Sequence, residues 1–201
     1  RCALMDISEP DDTYAVTKLI REIPSESSNT SGLTYGDGLL WFAANGPGGR
    51  WRTERSTDAP YGEILGVDPD TGETKRREKI PGESGTHGVE YDPFEIGTLW
   101  IQELKAQLAH QVKIKDWSIL RTVNLPYVRG HGMIRVEDGL WVTHTGHRVI
   151  VKLNVDTSEE MDRIEVPEPH PEPHGLSKLT DDSWIYCDAA SGWVTRIELR
   201  G

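Results

Sequence analysis

His131-Gly132-Met133-Ile134-Arg135-Val136, then Glu137-Asp138-Gly139, then Leu140-Trp141-Val142-Thr143-His144 reads as two short strands joined by a tight acidic-glycine turn. The pattern returns along the chain. A small polar residue or histidine precedes a glycine and an aliphatic residue, and a tryptophan follows nine to twelve residues after the glycine. The four copies are Ser31-Gly32-Leu33 with Trp41, His87-Gly88-Val89 with Trp100, His131-Gly132-Met133 with Trp141, and His174-Gly175-Leu176 with Trp184. Successive glycines lie 56, 44 and 43 residues apart, a period that marks an array of similar supersecondary units.

Each unit carries four strand signals bounded by Gly, Asp and Pro turns, except the last, which holds three. The missing strand is available near the start of the chain. Residues Tyr14 to Ile23 run into Pro24 as the outer strands run into Pro81, Pro126 and Pro167. The expected fold is therefore all-β: one four-bladed β-propeller, with blades at about residues 30–81, 86–126, 130–167 and 173–199, the last completed by residues 14–23. Closure of this kind removes a free sheet edge. A five-bladed ring is the alternative, and it needs a further blade in residues 1–30, where one credible strand exists. The repeated tryptophans are expected to fill the gaps between blades, and the glycines to let inner strands crowd together.

Composition narrows the partners. The 201 residues carry a formal charge of -11, which argues against nucleic acid, and no apolar run reaches membrane-spanning length. A small molecule is the expected partner. Two cysteines, Cys2 and Cys187, do not make a disulfide framework. The chain opens Arg1-Cys2 without an initiator Met, so localisation is weakly constrained, and a cytoplasmic setting is the default expectation.

In a propeller the loop entering each inner strand and the end of each second strand open on one face around the axis. The entry positions are Ser31, His87, His131 and His174; the strand-end positions, three residues beyond each Trp, are Ala44, Glu103, His144 and Cys187. A lone histidine there is more often structural, but this set of histidines with one carboxylate favours metal or acid–base chemistry. Imidazole-rich ligation suits a divalent transition metal (Zn, Mn, Fe, Ni or Cu) better than Mg or Ca. The expected ligands are His87, His131 and His144, with Glu103 as a fourth ligand or an orienting base, and His174 as general base. Ser31 and Cys187 flank the open side. The long excursion from Asn45 to Gly62, with Arg50, Trp51, Arg52 and Tyr61, is expected to cover it and meet a carbonyl or carboxylate group, although a solvated surface loop explains it equally well. His110 and His147 are expected just before third strands, farther from the axis, and His170 in the proline-rich connector 167–173.

The Gly-aliphatic, Leu-Trp-aliphatic and strand-Pro pattern resembles the streptogramin lyase family, the virginiamycin B lyase-like propellers. The likeness is clearest at Pro173-His174-Gly175-Leu176 with Trp184-Ile185, and at Gly97-Thr98-Leu99-Trp100-Ile101-Gln102-Glu103. That resemblance implies metal-assisted elimination, with His174 matching the family's basic histidine and Glu103 a strand-end glutamate. Cys187 stands where the family places a metal-binding glutamate, and His144 where an acidic residue is usual. The chain is also similar to gluconolactonase-type propellers, which hydrolyse lactones with an axial metal, and more distantly to propellers that hold Fe(II) by histidines. The leading expectation is a metal-dependent lyase acting on a small or medium carbonyl- or carboxylate-bearing substrate. A lactonase or Fe(II) oxygenase is the alternative, and a non-catalytic binding propeller is a third.

Overall fold

The computed structural model describes residue 23 and residues 25–49 and 52–199. Its strands form four antiparallel sheets in chain order. Blade 1 holds β1 (Thr30–Gly36), β2 (Leu39–Ala44), β3 (Glu63–Val67) and β4 (Thr74–Lys79). Blade 2 holds β5 (Val89–Tyr91), β6 (Thr98–Glu103), β7 (Leu108–Lys113) and β8 (Ile119–Asn124). Blade 3 holds β9 (Gly130–Val136), β10 (Gly139–His144), β11 (Val149–Leu153) and β12 (Glu160–Glu165), with a short 3-10 turn over Thr145–His147. Blade 4 holds β13 (Gly175–Lys178), β14 (Ser183–Cys187) and β15 (Val194–Glu198). This is a four-bladed β-propeller, and the described residues contain no fifth sheet.

The inner strands pack side by side, β1 on β5, β5 on β9 and β9 on β13. Glycine makes this possible. A Cβ on Gly88 would lie 2.4 Å from the His131 carbonyl oxygen, and one on Gly132 2.4 Å from the Leu176 amide nitrogen. Apolar side chains then fill the wedges between blades. Trp41, Ile64 and Ile80 meet Val89, Leu99 and Ile101 between blades 1 and 2. Trp100, Val123 and Leu125 meet Leu140, Val142 and Val151 between blades 2 and 3. Ile134, Trp141 and Val166 meet Trp184 and Tyr186 between blades 3 and 4.

Low on the second wedge sits a charged network. The buried Asp92 accepts from Arg135 Nε at 3.1 Å, Trp100 Nε1 at 2.9 Å and Gln111 Nε2 at 3.0 Å. It also accepts from the Phe94 and Glu95 amides. A buried carboxylate with this many donors is well satisfied, and it ties blade 2 to blade 3.

Blade 4 departs from the repeat. In the first three blades the aliphatic residue after the glycine faces the residue after the tryptophan: Leu33 opposite Phe42, Val89 opposite Ile101, Met133 opposite Val142. In blade 4 Leu176 instead faces Tyr186, and Trp184 faces Lys178. A one-residue slip exchanges the faces of a strand. Trp184 therefore turns back toward blade 3 and meets Trp141 edge-on, ring centroids 5.1 Å apart. Its sequence spacing matches the other tryptophans, but its role in the sheet matches Leu40, Leu99 and Leu140. By the same slip Asp188, not Cys187, is equivalent to His144.

The proposed closing strand lies outside the described residues except for Ile23, which packs against the cluster of Phe42, Leu65 and Val67 in blade 1. That place corresponds to Ile80, Leu125 and Val166 at the other wedges. The third strand of blade 2 begins earlier than its spacing suggests, so His110 lies within β7 opposite Ile101 and Thr122.

Candidate functional site

The three histidines at the repeat's entry position converge. His87, His131 and His174 each offer a ring nitrogen within 4.8 Å of the others, in the pattern of a metal-holding group. Their ring centroids are 4.5 Å apart for His87 and His131, 3.8 Å for His131 and His174, and 6.1 Å for His87 and His174. The cause is local. Each histidine precedes a glycine on an inner strand, and those glycines let three inner strands approach closely enough for the side chains to meet.

Hydrogen bonds fix two of the three rings. His131 Nδ1 lies 2.7 Å from the Arg129 carbonyl oxygen, which only accepts, so Nδ1 carries the proton and Nε2 keeps its lone pair. Thr145 Oγ1 sits 2.8 Å from the same nitrogen and donates its own hydrogen to the Pro173 carbonyl. A carbonyl behind one imidazole nitrogen is the usual support for a ligating histidine. His87 is set differently. Asn45 Oδ1 accepts the Thr86 amide at 2.9 Å, so its Nδ2 donates to His87 Nε2 at 2.5 Å. The proton of neutral His87 then sits on Nδ1, a buried atom with no protein partner among the described residues. The His174 backbone is clamped: its N–H donates to the Cys187 carbonyl, and its carbonyl accepts from the Gly132 amide and Thr143 Oγ1.

Burial is the largest influence on all three rings and holds them neutral. His87 is pushed down to about 4, by burial and then by the His174 and Arg129 charges. His131 falls to about 2, by burial and then by its two histidine neighbours. His174 is lowered by burial and by Arg129. Neutral imidazoles are the form that binds a metal ion.

The triad lines a cavity of about 370 Å³ together with Ser31, Leu33, Met133, Leu176, Cys187 and Glu90. Burial pushes the Glu90 carboxyl up to about 7, with the Asp92 charge adding to the shift.

The remaining expected ligands are elsewhere. His144 is fully buried beside Tyr127, ring centroids 5.4 Å apart, and burial lowers it to about 4. Glu103 Oε1 is 3.2 Å from His110 Nε2, and its other oxygen accepts from Ser84 Oγ at 3.0 Å. Strand-end side chains thus turn toward the loops between blades, whereas entry side chains turn to the axis. His174, expected as a separate base, belongs to the triad. Ser31 and Cys187 do line the cavity, and Cys187 is free and exposed. Arg50 and Trp51 lie outside the described residues. Arg52 and Tyr61 are exposed and away from the cavity lining, because Asp58 fastens their loop to the segment before β1: it accepts the Ser28 amide at 2.7 Å and Ser28 Oγ at 2.5 Å. His147 stacks on Tyr127 at 4.5 Å.

Asn45, Thr145, Arg129 and Glu90 escaped the sequence reading. Asn45 and Thr145 share one repeat position, immediately after Ala44 and His144, so extending the comparison by one residue would have found both.

Fold and site together define a four-bladed β-propeller with an axial three-histidine centre able to hold a metal ion. No protein-family model matches the sequence, and neither does any curated protein. Solved structures do match in fold. The computationally designed Ika4 protein superimposes with a TM-score of 0.56 at 11% identity, over 92% of this chain and 99% of its own. A streptogramin B lyase structure gives 0.54 at 16% identity, over 89% of this chain and 57% of its own. A catalytically inactive histidine-to-alanine variant of virginiamycin B lyase from Staphylococcus aureus, with quinupristin, gives 0.55 at 19% identity, over 90% and 59%. The chain thus spans a little over half the length of these lyases, and the likeness is one of propeller fold.

Proposed function

We propose that His87, His131 and His174 hold a divalent transition metal ion, and that the protein is a metal-dependent enzyme, in the first reading a lyase, for a small or medium carbonyl- or carboxylate-bearing substrate. The observation that carries this reading is the convergence of three neutral imidazoles within 4.8 Å at the end of a cavity. His131 offers a free Nε2 lone pair, and His87 would ligate through Nδ1, which has no protein partner among the described residues, once its proton has moved to Nε2 and the Asn45 amide no longer donates there. A bound ion would supply Lewis-acid polarisation of the substrate carbonyl.

The chain's own residues do the rest. The Arg129 carbonyl and Thr145 keep His131 in the tautomer with Nε2 free. Since His174 joins the triad, elimination needs another proton acceptor. Glu90 lines the same cavity, and with its carboxyl near 7 it exchanges a proton at neutral pH. The inactivity of the histidine-to-alanine variant of virginiamycin B lyase supports a histidine-dependent centre in a propeller of this fold.

Elemental analysis of the purified protein beside a His87→Ala/His131→Ala double variant tests the proposal. About one equivalent of a transition metal, lost in the variant, is the expected result. No metal, and no uptake of added Zn, Mn or Fe(II), leaves a binding propeller as the better account.

A further inference from the structure

The shortest ring-to-ring distance in the triad, 3.8 Å between His131 and His174, lies across the seam between blade 3 and blade 4. His87 stands farther off, 4.5 Å from His131 and 6.1 Å from His174. Two buried hydroxyls at the end of β10, those of Thr143 and Thr145, bridge the tight seam. The equivalent positions hold Ala43 and Asn45 in blade 1 and Gln102 and Leu104 in blade 2, so blade 3 alone of these three carries the hydroxyl pair.

Thr143 acts on backbone alone. Its Oγ1 accepts from the Gly132 amide at 2.7 Å and donates to the His174 carbonyl at 2.6 Å. Thr145 reaches a ring. Its hydrogen goes to the Pro173 carbonyl, 3.0 Å away, which leaves its lone pairs to accept from His131 Nδ1–H at 2.8 Å. One oxygen therefore joins the His131 imidazole to the peptide that leads into His174. The His131 Nδ1–H is shared between this hydroxyl and the Arg129 carbonyl at 2.7 Å, two acceptors on different segments, so the ring does not pivot about either bond. The backbone of Thr145 is held independently: its N–H donates to the Arg129 carbonyl at 3.3 Å, and its own carbonyl accepts from the Arg148 amide at 3.0 Å. Loss of the hydroxyl thus leaves the turn in place and removes the link.

We infer that Thr145 is the positioning residue that fixes the His131 ring against His174, so that these two ligands meet an ion as a preset pair, while His87 is set separately by Asn45. Thr145 acts through His131 and the Pro173 peptide and touches neither ion nor substrate. A support of this kind behind a ligating imidazole governs affinity through orientation. The consequence for metal affinity rests on the metal reading proposed above; the placement of the ring stands without it.

The test compares Thr145→Val, Thr145→Ser and Thr98→Val, the last removing a buried hydroxyl that bonds Glu95 and Gln111 and no histidine. In the metal-free protein the His131 Nδ1 proton, followed by proton–nitrogen NMR, should exchange with water about tenfold faster in Thr145→Val, the factor that one hydrogen bond provides. Thr145→Ser should restore slow exchange, and Thr98→Val should leave it as it is. Zinc affinity, read by competition with a chelating dye, should fall about tenfold or more in Thr145→Val alone. Unchanged exchange at His131 in Thr145→Val, or an equal change in Thr98→Val, overturns the inference whatever zinc does. Faster exchange with zinc affinity unchanged overturns the claim that the link serves a ligand. Faster exchange in a protein that takes up no zinc at all upholds the ring placement and sinks the metal reading, so either can fail alone.

Discussion

His131 and His174 lie nearly face to face, their ring centroids 3.8 Å apart and their planes inclined by 34°. Burial lowers both rings, and two imidazolium rings at that distance would repel strongly in a desolvated site, so a proton on one holds the other neutral.

Acid should therefore destabilise the protein earlier than its carboxylates alone would require. His87 and His144 bind protons at about 4 when folded and near 6.5 when unfolded, so the unfolded chain takes up protons first. Stability present above about pH 6.5 is lost as pH falls toward 4, by up to about 3 kcal/mol for each group. Melting temperatures from pH 8 to pH 4.5 check this, and His87→Gln should flatten the fall over that interval.

Glu90 has the opposite sign. Its carboxyl is near 7 folded and near 4.5 unfolded, so its contribution is present below about 4.5 and lost as pH rises through 7. Glu90→Gln should stabilise the protein at pH 8 relative to pH 5, by about 2 kcal/mol in urea unfolding.

The Asn45 amide holds His87 with Nε2 as acceptor and Nδ1 protonated. Asn45→Asp keeps an oxygen for the Thr86 amide and replaces the donor with a second acceptor, which favours the proton on Nε2 and frees Nδ1 as a ligand. Zinc affinity, read by competition with a chelating dye, should rise about tenfold. An unchanged affinity would mean that Nδ1 is not the atom that meets the ion.

His144→Ala and Glu103→Gln should leave metal stoichiometry untouched, because both side chains lie among the loops between blades. His144 is fully buried, so its truncation should still cost about 2 kcal/mol in denaturant unfolding. Loss of the ion in either variant would restore the ligand set read from the sequence.

Removing the Asp92 carboxylate strands Arg135, Trp100 and Gln111 in the second wedge. Asp92→Ala should cost about 3–5 kcal/mol, measured by urea unfolding, with no change in metal uptake.

The repeat of glycine and tryptophan determined the propeller and its blade count, and the identity of the entry residues determined the triad. The physical reason is that equivalent positions of a ring share one distance from the axis, so three histidines at one position have to meet. The same logic failed for Glu103 and His144, since strand-end side chains turn outward and find local partners, His110 and Tyr127. Sequence spacing also placed Trp184 with its namesakes. Only the pairing of β14 with β13 shows the one-residue slip that turns it toward Trp141 and makes Asp188, rather than Cys187, the equivalent of His144. Register is a property of two strands together, and neither strand states it alone. Asn45, Arg129 and Glu90 belong to this second category: their types are ordinary, and only the tertiary structure sets the Asn45 amide on His87 and the Arg129 carbonyl on His131 and places Glu90 in the lining of the same cavity.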